Sequence, residues 1–266
     1  MDKKKLKIDK VSKPYLKGDM YDRTTLPSAL KFFTGTIVLA IVFLIFCVML
    51  SFDQDWLNII INLTVALGIY LFVYQFGQTA GADAVNQGEI MYARQEKGRP
   101  VAEWERSMCY HPFKGFLSAL IGSLPIILCA IVLACIAKRQ MTNLGTLPAW
   151  ISGIEGRTEI GNALAIYHEK GSMTLEAILR LIVRMTIMPY VNLVGASNKD
   201  AMLTLERVSP LLNLLPALAY GMGYMGGVNV RSAVHTNIAL GKKKAKRKQA
   251  KERRARRQSR GPEQLN

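Results

Sequence analysis

An all-α, multi-pass integral membrane protein, with about four transmembrane helices and one further amphipathic or re-entrant helix, is the fold class that three observations predict. Apolar runs long enough to cross a ~30 Å hydrocarbon core at 1.5 Å per residue alternate with charged stretches. The last run, 209–227, is followed after a short interval by a basic tail, and basic residues beside a span stay on the cytoplasmic side. The connections between runs also differ in their Lys and Arg content, which orients each span in turn.

Half of the 266 residues are hydrophobic and the net charge is +16. The excess is local, because residues 241–260 hold twelve Lys or Arg and the single Glu252, a net +11. Residues 1–31 are Lys-rich with almost no apolar periodicity and read as a mobile cytoplasmic segment. At about thirty residues this is too long for the basic region of a cleaved signal peptide, so the first span is expected to remain.

Residues 32–50 carry no charge and form the clearest span. The link 51–56 bears Asp53 and Asp55 without Lys or Arg, as an outer hairpin loop does, and Trp56 marks the outer interface. The second span, 57–76, places Asn58 and Asn62 four apart on one helical face, where buried amides join helices at about 0.6–2 kcal/mol each. Gly77, Gly81, Ala84 and Gly88 continue a strip of small residues past the membrane, so the second helix should project into the cytoplasm and pack closely there.

Arg94, Lys97, Arg99, Arg106 and Lys114 put the loop at about 83–114 inside, with Glu89, Glu96, Glu103 and Glu105 as its solvated charged face. Tyr110, Phe113 and Phe116 form an aromatic belt before the third span, 116–137, in which Pro125 is a kink site. The stretch at about 138–173 is too polar to insert and falls outside by alternation.

Residues 174–194 are marginal. Their ten Leu, Ile and Val supply about −3 to −6 kcal/mol of insertion energy, against about +5 to +7 for central Arg180 and Arg184. Glu176, Arg180 and Arg184 share a stripe with i,i+4 pairing, so this helix should lie in the outer interface or re-enter. The run from Ser209 is then the fourth crossing, with Ser209 as N-cap and Pro210 as first helical residue, and Tyr220 and Tyr224 reach the inner boundary. Five spans would strand the Lys-rich start outside, and six would need the charged stretch 150–168 to insert; both rank below four.

The resulting organisation is a basic cytoplasmic segment at 1–31, a transmembrane domain at 32–228 and a basic cytoplasmic tail at 229–266, in the cell membrane. No catalytic constellation appears. Gly221, Gly223 and Gly226 match a dinucleotide fingerprint formally but belong to no βαβ unit, whereas Ala219, Gly223 and Gly227, four apart, suit close helix packing. His111, His168 and His235 are scattered and the four cysteines lack metal spacing, so no catalytic, cofactor or metal site is expected.

Two sets of residues remain as candidates. Asn58, Asn62, Arg180, Arg184 and Asn192 are polar groups at membrane depth. Lys242, Lys243, Lys244, Lys246, Arg247, Lys248, Lys251, Arg253, Arg254, Arg256 and Arg257 make the tail a contact surface for anionic lipid, the favoured partner at about 1 kcal/mol per basic residue, or for a protein or non-specific RNA. No aromatic interleaves them, which excludes base stacking. Helix–helix oligomerisation through small-residue faces is a further expectation. The favoured role is a membrane interaction or assembly protein, and the alternative is a transporter or a transporter's membrane subunit.

Overall fold

The computed structural model describes residues 11–49, 55–138, 174–195 and 198–259. Apart from an isolated bridge between Lys17 and Tyr110, its regular structure among the described residues is helical. The link at 51–54 and nearly all of the expected outer loop, 139–173, lie outside the described residues.

Helix α1 (Thr25–Met49) begins seven residues before the uncharged run. The Asp22 carboxylate accepts from the Thr24 N–H and from the Thr24 and Thr25 hydroxyls, and Pro27 sits in the first turn, where its missing N–H is not needed. Helix α2 (Asp55–Glu96) has 42 residues, about 63 Å at 1.5 Å each, so one helix holds the second span and its expected extension. A short α3 (Glu103–Ser107) precedes α4 (Lys114–Ile136), which carries Pro125.

Then follow α5 (Leu175–Thr186), capped by the Thr174 hydroxyl on the Ala177 N–H, and α6 (Met188–Val194). The chain bends by 97° between them. Helix α7 (Lys199–Met225) leads into α8 (Gly227–Ser259).

Among the described residues, three helices are long and apolar enough to cross a membrane, namely Thr25–Phe46, Trp56–Glu96 and Lys114–Ile136. The bent pair α5–α6 makes a fourth if taken as one broken span. The Ser209 run, expected as the fourth crossing, is not among them. Asn213, two prolines, four glycines and two tyrosines dilute its hydropathy.

The N-cap expected at Ser209 is corrected as well, because α7 begins eleven residues earlier, with the Asn198 side chain accepting the Ala201 N–H as the N-cap. Ser209 is fully buried inside the helix. Pro210 cannot donate to the Glu206 carbonyl four residues back, and the Ser209 hydroxyl donates to it at 2.7 Å instead.

The chain divides into two compact units. One comprises Met1–Ser28, Phe72–Ala119 and Leu218–Asn266. Within it the strip of small residues on α2 meets the strip on α7 and α8. A Cβ added to Gly77 would stand 2.2 Å from the Tyr220 carbonyl oxygen, one on Gly81 2.2 Å from that of Tyr224, and one on Gly223 2.0 Å from that of Tyr74. Both small-residue faces are therefore occupied inside one chain.

The N-terminal segment, expected to be mobile, is docked from residue 11 onward in the same unit. Leu16 N–H donates to Gly88 O, Gly18 N–H to Tyr110 O and Asp19 N–H to Ser107 O. Only a residue without a side chain fits at Gly18, where a Cβ would lie 2.3 Å from the Cys109 carbonyl oxygen. The expected aromatic belt is divided: Tyr110 is buried and stacks on Tyr224 at 5.5 Å, while Phe113 is exposed.

The other unit comprises Ala29–Leu71 and Leu120–Ala217. Its core packs Ala130, Leu133 and Ala137 of α4 and the residue following it against Leu179, Val183 and Ile187 at the buried face of α5. Leu181, on the opposite side of α5, and Ile182, at its flank, are exposed.

Candidate functional site

The α5 periodicity places Glu176, Arg180 and Arg184 on one stripe, and the structure supplies a partner that the stripe alone does not reveal. Glu206 on α7, 1% exposed, takes Arg180 Nε at 3.1 Å and Arg184 Nε at 3.0 Å. Arg180 also pairs with Glu176 at 2.8 Å and donates to the Lys138 carbonyl. Two cations thus meet two carboxylates, and the group is neutral as a whole. Such a cluster fixes α5 against α7, because Glu206 alone in that position would be an uncompensated buried charge.

A cleft of about 410 Å³ opens beside this group, between Leu44 of α1 and the α5–α6 face, lined by both arginines and otherwise by apolar side chains.

Asn192 does not join the arginines. The 97° bend carries it to the other polar set, where its amide donates to Asn62 Oδ1 at 3.2 Å, and Asn62 donates to Asn58 Oδ1 at 2.8 Å. The Tyr70 and Tyr190 hydroxyls, 2.7 Å apart, make a second link between α2 and α6. The five polar residues singled out at membrane depth therefore form two sets, each closing on its own partners.

The basic tail is helical, within α8, and its first turns are clamped in the other unit. Glu89 of α2, expected on a solvated face, is 8% exposed and receives Arg231 Nε at 3.1 Å and His235 Nε2 at 2.7 Å. Arg231 also donates to Asn86 Oδ1 at 2.5 Å. The docked N-terminal segment adds Val11 N–H to the Thr236 hydroxyl at 3.1 Å.

Among the described residues, nothing covers the helix from Lys242 to Ala255. Lys242, Lys243, Lys244, Lys246, Arg247, Lys248, Lys251, Arg253 and Arg254 are all exposed, and none forms an ion pair among the described residues. Arg256 and Arg257 are on the same helix, with side chains outside the described ones.

The dinucleotide-like glycines lie in and just after α7, where Gly221 faces the Phe116 ring and Gly223 the Tyr74 backbone, with no strand leading into them. Among the described residues no three His, Cys, Asp or Glu side chains converge on a metal position. Cys109 is buried, and burial pushes its thiol pKa up, which keeps it protonated and unreactive.

Glu206, Glu89, Arg231 and His235 are the residues that sequence reasoning missed. Each pairs with a group at least 22 positions away, so helical spacing carries no trace of them. The one available signal is an acidic residue inside an otherwise apolar or small-residue helical stretch, which asks for a cationic partner. The chain matches no protein-family model, no curated protein and no solved structure in the comparisons made.

Proposed function

We propose that this chain is a membrane-embedded interaction protein that holds a polybasic helix at the cytoplasmic face of the cell membrane for a polyanionic partner. The observation that carries this reading is the contrast between two kinds of charge. Arg180 and Arg184 are engaged with Glu206 and Glu176, and Asn58, Asn62 and Asn192 with one another, whereas nine tail cations are exposed on a helix clamped at its base.

The threading that goes with it has four crossings, α1, α2, α4 and α7, with α5–α6 re-entering from the outer side. Gly77 approaches Tyr220 and Gly81 approaches both Tyr224 and Gly227, so α2 and the end of α7 advance in the same direction. This supports α7 as a crossing in the sense of α2, despite its lower hydropathy. The N-terminal segment, the 97–113 loop and the base of α8 share one unit, whose Lys and Arg content favours the cytoplasmic side.

A transport role is the second reading, and the cleft beside Arg180 and Arg184 is what favours it. Purification of the full chain in mild detergent separates the two. The first reading expects a nucleic-acid or protein partner that is lost when the eleven basic residues from Lys242 to Arg257 become Gln. Copurification of a nucleotide-binding subunit, unchanged in that variant, would establish transport instead.

A further inference from the structure

Resting on that reading, we infer that the polyanion is a nucleic-acid double helix, held through its phosphates. Helical form sets the charge density. From Lys242 to Arg257 eleven basic residues and Glu252 leave a net +10. Those sixteen residues occupy about 24 Å as a helix, against roughly 54 Å as an extended chain. One positive charge per ~2.4 Å is close to the duplex density of one negative charge per ~1.7 Å, so binding displaces condensed counterions along the whole contact.

The distribution around the axis favours a groove over a plane. At about 100° per residue, nine of the eleven cations, from Lys242 through Lys246, Lys243 and Arg247 to Lys244, sweep an arc of roughly 200°. Ala245, Gln249, Glu252 and Ala255 share the remaining strip with the other two cations, Lys248 and Arg256. A flat leaflet reaches about half the circumference of a helix, whereas two rows of phosphates reach farther round it.

Insertion at a lipid interface also needs an apolar face, and between Gly241 and Arg260 no apolar side chain is larger than Ala. Missing aromatics remove base stacking, the usual hold on single strands, and leave backbone contact to a duplex. Like charges at i,i+4, such as Lys242 with Lys246, Lys243 with Arg247 and Arg253 with Arg257, oppose the helix until a polyanion neutralises them.

The test uses the full chain in nanodiscs, with a labelled 20-base-pair RNA duplex, a DNA duplex of equal length and a single strand as probes. Duplex binding in zwitterionic discs should weaken by about 10³-fold between 50 and 200 mM salt, as expected for about six phosphate contacts. It should persist when the disc contains anionic lipid, exceed binding of the single strand and vanish when the eleven cations become Gln. Tighter RNA than DNA binding would assign the 2′-hydroxyl a part, and equal binding would assign the phosphates alone.

Loss of duplex binding on adding anionic lipid to the disc would overturn the inference, since the tail would then lie on the leaflet. Absence of duplex binding at 50 mM salt would overturn it too. If charge-dependent copurification of an acidic protein survived either result, the interaction reading would stand while the nucleic-acid inference fell.

Discussion

The Glu89 carboxylate of α2 and the His235 ring of α8 are 2.7 Å apart across 146 residues of sequence, both buried, and this contact fixes the base of the basic helix. Arg231 shares the same carboxylate at 3.1 Å. Glu89→Gln keeps the size and removes the charge, which should cost about 1–3 kcal/mol at this joint. Hydrogen exchange should then accelerate across residues 227–240, at the start of α8, while α7 is unchanged. Unaltered exchange there would show that the clamp is idle.

Glu206 is the acceptor on which Arg180 and Arg184 converge, so single and combined changes in that cluster should respond unequally. Glu206→Gln leaves two cations short of a counter-charge and should destabilise the solubilised chain by about 3–5 kcal/mol. Arg180→Leu together with Arg184→Leu should be equally damaging, because the pair strands a carboxylate that is 1% exposed. Adding Glu206→Gln to those two arginine changes should recover most of the loss. Additive thermal destabilisation of the three changes would contradict this coupling.

The glycine faces of α2 and α7 predict a position-specific response to one methyl group. Gly81→Ala and Gly223→Ala place a Cβ 2.2 Å and 2.0 Å from backbone oxygens, so the helices must separate. Gly35→Ala and Gly68→Ala meet nothing within 4 Å and should gain up to about 1 kcal/mol from helix propensity. Thermal unfolding in detergent should lower the midpoint for the first pair and not the second; equal shifts in all four would refute the packing.

The apolar blocks and the small-residue strips were legible because each is a local property of composition or spacing. The uncharged run 32–50 locates α1, and Gly77 through Gly88 announce the helix extension that α2 shows. The true start of α1 was also written locally, as Asp22, Thr24, Thr25 and Pro27, but the Lys-rich surroundings masked it. At Ser209 a valid start signal was misleading, since Asn198 offers an earlier cap and the buried hydroxyl repairs the gap left by Pro210. The carboxylates at the two charged sites were illegible for another reason: Glu89 and Glu206 owe their roles to partners that only tertiary folding brings near.

Asp22 and Lys114 form a buried ion pair at 2.9 Å, with side chains 1% and 6% exposed. Burial pushes the Asp22 carboxyl up, but hydrogen bonds from Lys114, Thr24 and Thr25 outweigh it and hold the pKa below the ordinary 3.8. A depressed folded-state value means stability that is fully present above the unfolded pKa and is lost as pH falls through the lower, folded one. Asp22→Asn should therefore be clearly destabilising at pH 7 and lose its effect progressively below about pH 4. A penalty independent of pH would place the cause in packing and not in charge.

Side-specific reporters test whether the docked N-terminal segment, the 97–113 loop and the polybasic helix face the cytoplasm together. Fusions preceding Met1, inserted at Gly98 and following Asn266 should all report the cytoplasm in intact cells, with a reporter at Gly156 reporting the outside. An outside signal at Gly98 or after Asn266, or a cytoplasmic one at Gly156, would contradict the four-crossing account.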